Sequence, residues 1–182
     1  MRLTSRFFLC ATLSVAAACH RGAAGPETAH TLSDGDIVAI ILAANNTDIN
    51  YAKLVPARAR APEVKAFANR MSTDHTGLNT IVTDIAAKNN ITATDNTVSL
   101  DFRDHSAARR DVLRELEGAK FDSTYAANEV QYHSELLAAI DGALIPNAHN
   151  AALRDFVISL KPAVAAHLAH AEQMRATIAN RK

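Results

Sequence analysis

No tryptophan occurs in this 182-residue chain, and only 5% of it is aromatic. Runs in which β-branched residues alternate with polar ones are few, whereas alanine is abundant. A sheet protein needs such runs. Short side chains at helical spacing favour helices packed closely on one another. Neither sign of charge is in excess, because 19 Lys+Arg face 19 Asp+Glu. Nucleic acid demands a basic face, so it is excluded as a partner. Cysteine is scarce too. Cys10 and Cys19 are the only two, and both precede residue 20. The rest of the chain therefore has no disulfide, thiolate ligand or cysteine nucleophile. A Gly-x-Ser-x-Gly elbow and a phosphate-binding loop are also missing, so nucleophilic catalysis has no support and no catalytic residue is assigned.

The N-terminus is present and informative. Met1–Arg6 carries two arginines, and Phe7–Ala18 is uncharged and mostly apolar. This is a basic region followed by an apolar run of signal-peptide length, too short to span a membrane. It ends Ala16-Ala17-Ala18-Cys19, which resembles a bacterial lipobox with Ala16 in place of the usual leucine. Two outcomes stay open: lipidation of Cys19, or ordinary cleavage after an Ala-x-Ala site. With His20 rather than aspartate after the cysteine, lipoprotein sorting by resemblance gives the outer membrane, with the lipid as the membrane anchor. The expected organisation is a signal segment at 1–18, a Gly/Ala/Pro-containing tether at 19–31 and a helical domain at 32–181.

Apolar residues recur at three- and four-residue spacing through most of that domain. Helix A is expected over Ser33 to Arg60, with a seam of Ile37, Ile41, Ala44, Asp48, Tyr51 and Val55 and a kink at Pro56. Helix B is expected over Pro62 to Lys88, with a seam of Val64, Phe67, Met71, His75, Leu78, Val82 and Ile85. A polar turn at Thr92 to Thr97 precedes a short, highly charged helix over about Asp101 to Gly118. Helix C is expected from Asp122, with Ala126, Val130, His133, Leu137, Ile140 and Leu144 inward, until Ile145-Pro146-Asn147 breaks it. Helix D is expected from Asn150, with Leu153, Phe156, Leu160, Val164, His167, Ala171, Met174 and Ile178 inward and a bend at Pro162. Two helical hairpins joined by a long crossover containing a short helix give an all-α, ferritin-like four-helix bundle.

Asp48, His75, His133 and His167 each interrupt one of these seams. An unpartnered carboxylate or imidazole costs free energy when buried, so four intrusions in four helices point to a shared polar centre. Two readings fit. The residues form a hydrogen-bonded network that fixes register, with Tyr51 and Tyr125 supplying phenolic partners. Alternatively they hold one transition-metal ion such as zinc, copper or iron. Glu129, one turn before His133, is then a ligand or a hydrogen-bond acceptor behind the ligands. The Glu-x-x-His pairs of di-iron carboxylate bundles are lacking, since Ser72, Val130 and Val164 stand three residues before the histidines. Asp74 is expected to face solvent or to pair with a base on another helix. His170 is expected at an edge, His105 and His149 in solvent, Met71 and Met174 in the packing, and Arg58/Arg60 and Arg109/Arg110 on solvated faces.

Register divides the four. Counted from Ala61, Asp48 lies 13 residues back and His75 lies 14 forward, so they share a height. Counted from Leu144 and Asn150, His133 and His167 lie 11 and 17 residues away. At ~1.5 Å per residue that is an offset of about 9 Å. The expectation is one Asp48–His75 pair, joined by one further histidine at most.

Several stretches are similar to a known family. They are Asp48-Ile49 with Ala52-Lys53-Leu54, then Val64-Lys65-Ala66-Phe67-Ala68-Asn69-Arg70-Met71 with Asp74-His75. In the second half they are Tyr125, Val130 with His133, Leu160-Lys161-Pro162, and His167-Leu168-Ala169 with Ala171. These resemble the domain of unknown function family 4142, exported bacterial proteins often labelled predicted outer membrane proteins. The resemblance spans about residues 32 to 178 and implies a ferritin-like fold, with no agreed activity. The family usually has glutamate where Asp48 stands, so a metal held by that carboxylate elsewhere is expected to bind more weakly here. Taken together, the expected role is an exported binding or stress-related module with a buried Asp/His centre, the alternative being metal handling or redox chemistry.

Overall fold

The structure, a computed structural model, describes residues 31–181. The signal segment, Cys19 and all but the last residue of the tether lie outside the described residues. Ser33 begins the first helix, α1 (Asp34–Ala52), through a reciprocal cap in which its hydroxyl and Asp36 satisfy one another's backbone N–H groups. Helix A does not run on to Arg60. It stops at Ala52, and a separate turn, α2 (Val55–Arg58), follows. Pro56 has no N–H to offer the carbonyl four residues back, so the ladder fails just before it. α3 (Pro62–Lys88) has the expected bounds, with proline in its first turn.

The crossover helix starts four residues earlier than expected. α4 spans Thr97–Arg114 because Asn96 caps it, with Ser99 closing the reciprocal bond. Ser99, Ser106 and Leu113 are buried at seven-residue spacing and form the stripe by which it packs. Gly35 helps to fix the segment before it. A Cβ there would collide with the Thr92 carbonyl, and Thr94 donates its N–H to the Gly35 carbonyl at 3.0 Å. α5 (Gly118–Ala139) then begins at a glycine with φ of 60°.

Ile145-Pro146-Asn147 does not break helix C. A π-helical turn (Ile140–Leu144) carries the chain into α6 (Ile145–Asn147), and the helical path ends only at Ala148. Widening the turn lets Ile145 bond to Ile140 immediately before the donor-less Pro146. α7 (Ala151–Ala179) is capped by Asn150 and passes through Pro162 without ending. Among the described residues there is no strand, and no helix is long and apolar enough to cross a membrane.

α1 pairs with α3, α5 with α7, α3 with α7, and α4 lies along α1. The apolar core of this helical bundle is divided in two. One part gathers Ile37, Ile40, Val82, Ile140, Leu153 and Val157. The other gathers Tyr51, Val64, Phe67, Phe121, Tyr125 and Met174. On each long helix the polar seam residue falls between the two parts, so the centre is a polar layer bracketed by hydrocarbon on both sides. Asp122 pins one end by accepting the backbone N–H groups of Arg60 and Ala61. Asp34 pins the other by accepting those of His149 and Asn150.

Candidate metal centre

Asp48, His75 and His133 are completely buried, and His167 is 3% exposed. Asp48 Oδ2 lies 2.9 Å from His75 Nε2 and 3.3 Å from His133 Nε2. The ring centroids of His167 and the other two histidines are 5.4 Å and 5.5 Å apart. The four residues therefore meet, and the expected 9 Å offset is overturned. The offset assumed that helix C stops at Leu144. The helical path continues to Ala148, 15 residues after His133, against 17 from Asn150 to His167. The remaining two residues amount to about 3 Å.

Each histidine is oriented from behind. His75 Nδ1 is 2.8 Å from Asn45 Oδ1, and Asn45 in turn donates to Asn79, which donates to Asn46. His133 Nδ1 is 2.9 Å from the Glu129 carbonyl oxygen. Both acceptors require an N–H on Nδ1, which leaves Nε2 as the lone-pair nitrogen of the neutral ring. His167 is reversed. Its Nε2 reaches Asp74 Oδ2 at 3.0 Å, leaving Nδ1 buried without a partner. His75 Nε2, His133 Nε2 and both Asp48 oxygens also lack an aligned hydrogen bond, despite their closeness. One donor atom from each histidine falls within 4.8 Å of the others. Lone pairs converging on a carboxylate repel one another until a proton or a cation lies between them.

A second trio, Asp48, Glu129 and His133, also places donor atoms within 4.8 Å. Glu129 is fully buried, and both its carboxylate oxygens lack partners. Burial, and then the charge of Asp48, push its carboxyl well above the ordinary range. Burial would likewise raise Asp48, but a proton on Nε2 of His133 or His75 donates to it and attracts its charge, and these two partners outweigh burial and hold that carboxyl below the usual range. The two acids are thus pushed apart, Glu129 toward its protonated form and Asp48 toward its ionised one. His167 is lowered to about 4, chiefly by burial, so its ring is neutral at pH 7.

Asp74 pairs with a base on another helix, His167 of α7, while also bonding Arg70. Tyr132, absent from the seams read in the sequence, donates its hydroxyl to the Ala44 carbonyl at 2.7 Å and ties α5 to α1 beside the centre. Tyr51 and Tyr125 are both fully buried, and burial raises each phenol. Asn45 was also missed. It sits three residues before Asp48, one turn away on the same face, and that spacing was its readable signal. His170 is half-buried against Phe67, His105 and His149 are exposed, and Met71 and Met174 are in the apolar core. Arg60 is exposed as expected, whereas Arg58, Arg109 and Arg110 are only partly so. Arg109 pairs with Glu135 of α5, and Arg58 donates to the Leu116 carbonyl.

The family profile of a domain of unknown function, DUF4142, matches residues 19–174. The chain belongs to the DUF4142 family. No curated protein and no solved structure matches it. The matched region of this DUF4142 chain contains all five polar residues of the centre.

Proposed function

We propose that this DUF4142 protein is a metal-binding protein, a ferritin-like four-helix bundle that holds one transition-metal ion through Asp48, His75, His133 and His167. The observation that carries the reading is the pre-set state of the three imidazoles. Each donates one ring N–H to an acceptor outside the cluster and turns a bare nitrogen inward. This is how proteins prepare histidine for a metal. Three imidazoles and a carboxylate suit zinc, copper or iron. Glu129 is a further oxygen ligand in reserve or the acid beside Asp48. The protein works in the cell envelope, exported by its N-terminal segment and anchored to the outer membrane through a lipid on Cys19. Its role there is metal handling, with the Asp/His layer as the binding element.

Elemental analysis of protein purified without a histidine tag is the direct test. About one equivalent of metal, lost in His75→Ala and in His133→Ala, is the expected result. The opposing reading is an Asp/His network whose protons hold the layer together without metal. It is supported by the closeness of Asp48 to two rings, and it predicts metal-free protein whose only change in those variants is lost thermal stability. Mass spectrometry of the mature N-terminus tests the anchor: a diacylglycerol-bearing Cys19 is expected, and an unmodified residue beyond it rules the anchor out.

A further inference from the structure

Gly77 stands in the middle of the 27-residue helix α3, where glycine destabilises the helix relative to alanine. No close packing demands it, because a Cβ at this position would meet nothing within 4 Å. What it does is leave open a groove of about 350 Å³, lined by Thr73, Asp74, Gly77, Leu78, Ala163 and His167 among others. His167 alone of the three histidines borders this groove. Its Nε2 is bonded at the mouth to Asp74, whose side chain is 37% exposed, and its Nδ1 is buried and unpartnered beside His75 and His133. A second cavity that touches the centre, at His75, is apolar-walled and only about 10 Å³, too small to admit an ion with its water.

Resting on the metal-binding reading above, we infer that the groove at Gly77 is the entrance for a divalent transition-metal ion, with Asp74 as its first contact and His167 as the ligand that passes it inward. Asp74 supplies the negative charge that draws a hydrated cation to the mouth. His167 spans mouth and centre with its two nitrogens, so rotation about its side-chain bonds carries a donor from one to the other. A missing side chain on a helix that would be firmer with one is the cost of keeping that path clear.

Cobalt(II) uptake, followed by its visible absorption in a stopped-flow instrument on the metal-free full chain, tests the entrance. Gly77→Phe fills the groove from a helix-compatible position. It should slow both association and dissociation by roughly tenfold or more while leaving the dissociation constant unchanged, as expected for a gate rather than a ligand. Thr80→Phe, an equal bulk at an exposed site on the same helix, should bind at the wild-type rate. Asp74→Asn should slow association and flatten its dependence on ionic strength. Wild-type kinetics in Gly77→Phe, with cobalt bound at one equivalent, would overturn the entrance and leave the metal site standing. Absence of cobalt binding in the wild type overturns both.

Discussion

His75 of α3 is held by Asn45 of α1, ring nitrogen to amide oxygen at 2.8 Å, with both residues buried. The contact decides which nitrogen of His75 faces Asp48. Asn45→Ala removes the acceptor and leaves a buried N–H unsatisfied, at a cost of about 1–3 kcal/mol. Metal affinity should fall by roughly 10- to 100-fold because the ring loses its orientation. Asn45→Asp keeps an acceptor at that point and should retain most of the affinity. Thermal melts with and without metal, together with competition titration against a chelator, separate the two effects. Equal metal affinity in wild type and Asn45→Ala would remove the orienting role.

Helix-by-helix legibility was uneven, for physical reasons. α3 could be read to the residue because proline opens it and Asn89-Asn90 closes it, with Asn90 at φ of 56°. α5 could not, because proline normally ends a helix and here a π turn carries the path past it. That one local event controls the height of His133, so an error at Pro146 became a wrong register for the whole centre. Two of the polar partners were hidden in a different way. Asn45 and Tyr132 act across helices, on His75 and the Ala44 carbonyl. Seam patterns show which side of a helix faces inward and say nothing of which atom on a neighbour it meets.

Glu129 gives a pH signature of its own. Its folded pKa lies well above the ordinary 4.5, through burial and the charge of Asp48. Above pH 4.5 the unfolded chain therefore releases a proton that the folded chain keeps, and this group lowers stability as pH rises until its folded pKa is passed. Glu129→Gln removes that dependence. In chelator-treated protein the variant should be more stable than the wild type at pH 7, with the difference shrinking as pH falls toward 4. Denaturant unfolding at three pH values measures it. A gap that does not depend on pH would mean that Glu129 is ionised in the fold.

Two glycines in helices should respond in opposite ways. At Gly35 an added methyl meets the Thr92 carbonyl, backbone that does not move freely, so Gly35→Ala should destabilise by about 1–3 kcal/mol. At Gly77 it meets nothing, so Gly77→Ala should stabilise by up to about 1 kcal/mol through helix propensity alone. Urea titration of both variants checks the signs. Stabilisation in Gly35→Ala would mean that the Thr92 segment is not seated on α1.

His167 fixes the acid side of the stability curve. Its folded pKa is lowered to about 4 from 6.5, chiefly by burial, with the Asp74 bond only partly compensating. Between those values the unfolded chain binds a proton that the folded chain refuses. Stability is therefore whole above about pH 6.5 and is progressively lost as pH falls toward 4. Asp74 works in the same sense but lower, because its folded pKa lies below 3.8 and its contribution fades only as pH drops past that value. The two groups thus occupy separate windows. His167→Gln should flatten the decline between pH 6.5 and 4 and leave the steeper loss below it. Bound metal should oppose the same decline, since an ion on Nδ1 competes with the incoming proton. Thermal midpoints recorded across this range, with and without one equivalent of zinc, read all three effects. An unchanged slope in His167→Gln would place the acid sensitivity on a different residue.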